Sequence, residues 1–174
     1  MEIALVAENA LRIKGKQGAV VVDPSSALRT KTQADAVIVF ANTTDLSFGK
    51  IEEHRVIISG PGEYEIAGMK ISGTRVLDTF LYELRFDGLS ILLAKAGRIE
   101  GVKEKANQCQ VLVLLADATI DPSLVTALEP NAVVLYGEKA VEEAKLLGKS
   151  GGAVEKYSVT GDKLPAEMEV VVLQ

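Results

Sequence analysis

One histidine, His54, and one cysteine, Cys109, are all the imidazole and thiol this chain possesses. Zinc sites need several such donors per ion, with a water position left open where the site is catalytic. The two residues lie far apart in sequence. His54 follows Glu52 and Glu53 and reads as a surface residue, and Cys109, just before an apolar run, reads as a small core residue. No Ser-His-Asp or Cys-His set occurs. The "GKS" at 148–150 lacks the upstream spacing and following helix of a P-loop and reads as a turn. What remains is a few carboxylates at the ends of apolar runs. Residues 37–49, "VIVFANTTDLSFG", pass from Val37–Ala41 directly into Asn42-Thr43-Thr44-Asp45. Ligands in open α/β folds gather at the carboxyl ends of such strands. Asp23 and Asp117 stand at comparable places, and oxygen-only sites suit hard cations such as Mg²⁺ or Mn²⁺. The carboxylates are nevertheless few and dispersed.

The elements that must position these residues are mostly strands. Ile3–Ala7 and Leu11–Lys14 flank a turn at Glu8-Asn9, and Ala19–Val22 ends at Asp23-Pro24. Val37–Ala41 and Val56–Ser59 follow, the latter stopped by Gly60-Pro61-Gly62. Tyr64–Ala67 and Met69–Ser72 read as a hairpin about Ala67-Gly68. Leu81–Phe86 and Leu89–Ala94 are joined by Asp87-Gly88, a strong short-range hairpin signal. Glu63 and Tyr64 follow the Gly-Pro-Gly turn and could line a cleft, although Tyr64 alternates with Ile66 as in a half-buried strand. Later come apolar strands at Val111–Leu115 and Val133–Tyr136. A short helix is expected over Pro122–Leu128, capped by Asp121. Another is expected over Lys139–Leu147, with apolar residues at 140, 141, 144 and 147 and Gly148 ending it. Strands at Val154–Val159 and Val170–Leu173 complete the pattern. No linker tract or fixed-period repeat interrupts it, so residues 1–174 read as a single domain.

Composition narrows the function classes. A net charge of −5, scattered Lys and Arg, no Trp and 5% aromatic residues leave no footprint for a phosphate backbone or a base-stacking surface. Nucleic acid is not an expected partner. Apolar runs fall well short of the ~20 residues of a membrane helix, so no membrane association is expected. The acidic second residue does not resemble a signal peptide, and the lone cysteine excludes an internal disulfide. The cytoplasm is the expected compartment.

The ordered segments "LRIKGKQGAVVVDP", "ADAVIVFANTTD", "VIISGPGEYEIAGMKISG", "YELRFDGLSILLAKAG", "CQVLVLLADATIDP" and "LEPNAVVLYG" resemble the metallo-β-lactamase superfamily. Within it, "PGEYEI" (Pro61–Ile66) and "TID" (Thr119–Asp121) resemble the zinc-dependent hydrolases related to ascorbate-6-phosphate lactonase. The resemblance implies an α/β architecture, a four-layer αββα sandwich of two mixed sheets with helices outside. It also implies a His-x-His-x-Asp-His motif after the strand at 37–41. The matching positions carry Ala41, Thr43, Asp45 and Leu46. A bridging metal ligand is implied near Lys95 and a last histidine near Gly137.

An ammonium at the bridging position would repel a dication, so the resemblance implies a vestigial cleft at Ala41, Thr43, Asp45, Leu46, Lys95 and Gly137. No catalytic residue, metal ligand or cofactor is assigned. Thr43, Thr44 and Asp45 are good helix N-caps, and the family has a helix here. Asp45 should accept hydrogen bonds from backbone or hydroxyl donors, with Lys95 close by, while Ala41 and Leu46 should be mostly buried. The expected function is that of a non-catalytic binding or assembly module, whose partner would be a protein, a small molecule or a second copy of the chain. The alternative is a hydrolase with a non-zinc or metal-free carboxylate site.

Overall fold

A computed structural model describes residues 1–40, 45–106, 108–148 and 152–174. The first half supplies β1 (Glu2–Ala7), β2 (Ala10–Lys14), β3 (Ala19–Val22), β4 (Thr32–Gln33), β5 (Ala36–Ile38), β6 (Ile51–Glu52) and β7 (Val56–Ile58). Four antiparallel-forming strands follow: β8 (Gly62–Ile66), β9 (Met69–Val76), β10 (Thr79–Phe86) and β11 (Leu89–Lys95). The remainder alternates α1 (Ile99–Lys105), β12 (Val111–Leu115), α2 (Pro122–Thr126), β13 (Ala132–Tyr136) and α3 (Ala140–Leu146), then β14 (Ala153–Val154), β15 (Lys156–Ser158) and β16 (Glu169–Leu173).

Two sheets result. The first has the order β15-β1-β2-β3-β5-β7, and the second β14-β16-β13-β12-β11-β10-β9-β8. In the second, β8 to β11 form an antiparallel meander built on tight turns. Ala67-Gly68 and Asp87-Gly88 each hold two successive positive φ angles, 48° and 74°, then 54° and 75°. That conformation matches the right-handed twist of the flanking strands. From β11 onward the strands are parallel, through β12 and β13 to β16. Parallel strands covered on both faces read as continuous apolar runs, as "VLVLL" and "AVVLY" do.

Alternate residues divide between two buried layers. Val20, Val22, Ile38 and Phe40 from the first sheet meet Tyr82, Leu84, Ile91, Leu93, Val113 and Val134 from the second in one apolar core. On the far side of the second sheet, Leu92, Leu112, Leu114, Val133 and Leu135 pack against Ile99 and Val102 of α1, Val125 of α2, and Ala140 and Ala144 of α3. Cys109 is buried in that helix-side layer, as a core residue should be. Asp121 caps α2 as its sequence suggests, its carboxylate accepting the Ser123 N–H at 2.9 Å.

The outer face of the first sheet is covered differently. Val21, Val37 and Val39 pack beneath Leu28, Ala34 and Ile51, with Leu46 and Phe48 at the margin. Among the described residues this cover is irregular chain plus the two-stranded β4–β6 pair, not a helix. Backbone bonds hold it: Thr32 N–H to Lys50 O at 2.8 Å, and Ser47 N–H to Pro24 O at 2.8 Å. The two-sheet α/β sandwich expected from sequence is present, with this loop layer on one outer side.

Candidate functional site

Strands β3, β5, β11, β12 and β13 all run toward one end of the sandwich. Lys95 ends β11, in register with Leu115 of β12, which is in register with Tyr136 of β13. By strand alternation these three point inward, because Leu93, Val113 and Val134, two residues earlier, lie in the shared core. They face Asp23 and Phe40, which follow β3 and β5. The result is a rim where the two sheets open.

Asp23 is buried, with 6% exposure, and holds a φ of 45°. Its Oδ1 accepts the Phe40 N–H at 2.9 Å, and its own N–H donates to Ile38 O at 2.9 Å. These bonds tie the end of β3 to the end of β5. Tyr82 lies below, its hydroxyl donating to Val39 O at 2.9 Å. Burial pushes the Tyr82 and Tyr136 hydroxyls well above the ordinary phenol range, and the Asp23 carboxylate reinforces both shifts. These phenols stay neutral at physiological pH. Asp23 ends its strand as a structural residue, and the two tyrosines were legible only as strand residues.

Lys95 holds the key position. Its ammonium sits 5.6 Å from the Phe40 ring centroid, a cation–π contact. Among the described residues it makes no ion pair with Asp45 or any other acid. That the ion pair with Asp45 is not formed is the first correction to the sequence reading. Asp45 is exposed and accepts a hydrogen bond at 2.8 Å from the Ser26 hydroxyl. A hydroxyl donor was expected, but sequence could not identify one nineteen residues upstream. The second correction is to capping: Asp45 has a φ of 59°, and no helix follows it over 45–50. Leu46 bridges Ser25 instead, and the segment is held by the chain at 24–26. The third is burial, since Leu46 is half-buried rather than mostly buried. Ala41, Thr43 and Thr44 lie outside the described residues.

Gly137 follows β13 with a φ of 99°, and a Cβ there would stand 2.8 Å from Leu115 Cδ1. It is close packing that favours glycine here. Asp117 is exposed, and its Oδ1 accepts the Gly97 N–H at 2.9 Å, linking the loops after β11 and β12. Beside it, Arg98 grips Asp78 through Nε at 2.6 Å and Nη2 at 3.0 Å, a fork that holds the Asp78 carboxyl down at about 2. This pair carried no sequence signal, since its members are twenty residues apart on loops.

The donor set does not fit a zinc centre. His54 Nδ1 lies 3.0 Å from Ile51 O, within the cover of the first sheet. Cys109 is on the helix side of the second sheet, where burial pushes its thiol up to about 12. A thiol so shifted is protonated and is not a metal ligand. Among the described residues no three His, Cys, Asp or Glu side chains gather as a cation site.

No protein-family model and no curated protein matches the chain. Solved structures do. A protein from Thermotoga maritima, assigned as a Zn-dependent hydrolase of the metallo-β-lactamase superfamily, aligns with a TM-score of 0.76 at 18% identity, covering 99% of this chain and 98% of that one. A protein from Parabacteroides distasonis, assigned as a metal-dependent hydrolase, gives a TM-score of 0.64 at 14% identity, covering 99% and 93%. A metallo hydrolase from the archaeon Ignicoccus hospitalis gives 0.59 at 12%, covering 91% and 99%. The chain therefore has the metallo-β-lactamase fold. At these identities the likeness extends to the fold and no further.

Proposed function

We propose that this chain is a non-catalytic relative of the zinc-dependent hydrolases, a metallo-β-lactamase fold that serves as a binding or assembly module. One observation carries the reading. At the end of β11, where the family resemblance calls for a metal-bridging carboxylate, stands the ammonium of Lys95, resting on Phe40. A cation there opposes a second cation, and the chain offers a single imidazole, His54, in another layer. A fold outlives its chemistry readily, because function resides in the site and not in the scaffold. The vestigial cleft at Ala41, Thr43, Asp45, Leu46, Lys95 and Gly137 belongs to this proposal, as do a cytoplasmic location and a single-domain organisation.

A carboxylate-based hydrolase is less well supported. Asp23 is engaged by the Phe40 N–H, Asp45 by Ser26 and Asp117 by the Gly97 N–H, each at a different loop. The test is metal content of the purified protein after dialysis, together with melting temperature against added Zn²⁺ or Mn²⁺. Neither ion is expected to be retained or to stabilise. A site filled at a hundredfold excess over Kd would add ~2.7 kcal/mol. A stabilisation of that size, removed by Asp45→Ala, would reinstate the metal site and sink this reading.

A further inference from the structure

We propose that a cavity at the end of the sandwich opposite Lys95 binds a small molecule carrying two or more phosphate groups. The cavity measures about 540 Å³, and its walls include Lys14, Lys16, Lys163, Ser158, Thr160 and Asp87. That volume lies within the range of small-ligand sites. Lys14 ends β2 beside the start of β3, while Asp87 lies in the turn that begins β11. Ser158 ends β15 against the start of β1. All of these elements are at the far end from the rim, so the proposal is independent of what became of the old metal site.

Charge is the argument. Among the described residues, none of the ammonium groups of Lys14, Lys16 and Lys163 has a carboxylate in ion-pair range. The acids in the same wall are already engaged. Glu2 pairs with Lys156 at 3.0 Å. Asp87 accepts the Lys16 backbone N–H at 2.9 and 3.2 Å and lies 3.8 Å from the Met1 ammonium. Asp162 stands nearby, its carboxyl lowered first by a Thr160 hydrogen bond and only weakly by Lys16. Three ammonium groups without an ion-pair partner therefore share one concavity, Lys14 acting on the Glu2 carboxyl and Lys16 on that of Asp162 only at longer range, in a chain whose net charge is −5. Flexible ammonium groups suit phosphate as point charges, and the Ser158 hydroxyl can donate to one of its remaining oxygens. In a chain of net charge −5 this local group of lysines fits a small polyanion and not a nucleic-acid backbone.

The experiment is calorimetric titration of the full chain at low ionic strength with inorganic tripolyphosphate and, separately, with ADP. Saturable one-to-one binding is expected, weakening as salt is raised. Lys16→Gln combined with Lys163→Gln should weaken it at least ~tenfold, which is ~1.4 kcal/mol. Lys105→Gln, a loss of one positive charge on α1, should leave it unchanged. Both lysines of the double variant are exposed, so folding is not at stake, and an unchanged denaturation midpoint checks this. Tighter binding of ADP than of tripolyphosphate would place the nucleoside on the Val159 wall and support a nucleotide ligand; equal binding would support phosphate alone as the determinant. Absence of binding by both probes overturns the proposal. So does binding equally tight in the double variant, or equally weakened by Lys105→Gln.

Discussion

The ammonium of Lys95 and the ring of Phe40 meet at 5.6 Å across the gap between the two sheets, one residue from each. The contact joins the ends of β11 and β5 without any carboxylate. A half-buried cation–π pair contributes about 1 kcal/mol. Lys95→Met, which keeps the stem and removes the charge, should lower stability by about that amount in urea denaturation. Lys95→Asp should cost more and still fail to recruit zinc, since no imidazole lies at the rim. Stoichiometric zinc in the Lys95→Asp protein would contradict the account of the site.

Asp23 should matter more to stability than any other rim carboxylate. Asp23→Ala strands the buried Phe40 N–H and leaves an alanine at a φ of 45°. An unsatisfied buried donor costs about 1–3 kcal/mol, and left-handed backbone adds about 1 kcal/mol. Asp23→Asn retains an acceptor oxygen and should lose less than half as much. Equal losses in the two variants would show that the hydrogen bond is not what stabilises this corner.

The thiol of Cys109 gives the fold a pH limit on the alkaline side. Burial raises its folded-state value to about 12, with Glu83 reinforcing it, against an unfolded value near ~8.5. Between these values the unfolded chain has released the proton that the folded chain retains, so stability declines as pH rises through that window. Below it the contribution is fully present. Cys109→Ala should flatten the decline between pH ~9 and ~11 relative to the parent. In the native parent, thiol-reagent labelling should proceed no faster than unfolding. Rapid labelling at neutral pH would rule out the buried, protonated thiol.

Gly137 and Gly148 provide a matched comparison. Both have positive φ, 99° and 76°, but only Gly137 has a neighbour within 3 Å of a Cβ, Leu115 Cδ1 at 2.8 Å. Gly148→Ala should cost about 1 kcal/mol of backbone strain. Gly137→Ala should add an overpacking term of about 1–3 kcal/mol. Similar losses would mean that Leu115 yields freely and that the rim is loosely packed.

The sequence was most legible where local chemistry and final structure coincide. Asp87-Gly88 and Ala67-Gly68 set the registers Phe86↔Leu89 and Ile66↔Met69 by turn geometry alone. The apolar runs at 111–115 and 133–136 became strands because both faces of the second sheet are covered. α1 carries little helical signal because it buries only Ile99 and Val102 and contains Gly101. That glycine answers to a distant partner, Val76, whose Cγ1 would lie 2.7 Å from a Cβ. Asp45 misled in the opposite sense. Its surroundings satisfy the local rules for a helix start, yet Ser25, Ser26 and the Pro24 carbonyl capture the segment first. Long-range contacts of that kind leave no trace in a local pattern.

The strands after α3 divide between the sheets in a way that bears on how the chain is made. β15 pairs with β1, joining Ser158 to Glu2, while β14 and β16 widen the other sheet. On a ribosome, β1 emerges well before β15 and waits for a neighbour encoded more than one hundred and fifty residues later. Until then it is an unpaired edge, open to strangers of similar pattern. The same wait applies to β13, whose outer partner β16 follows only after α3, β14 and β15. A nascent chain stalled before Ala153 should therefore be sensitive to protease along β1 and β13 while the β8–β11 meander, complete within itself, already resists.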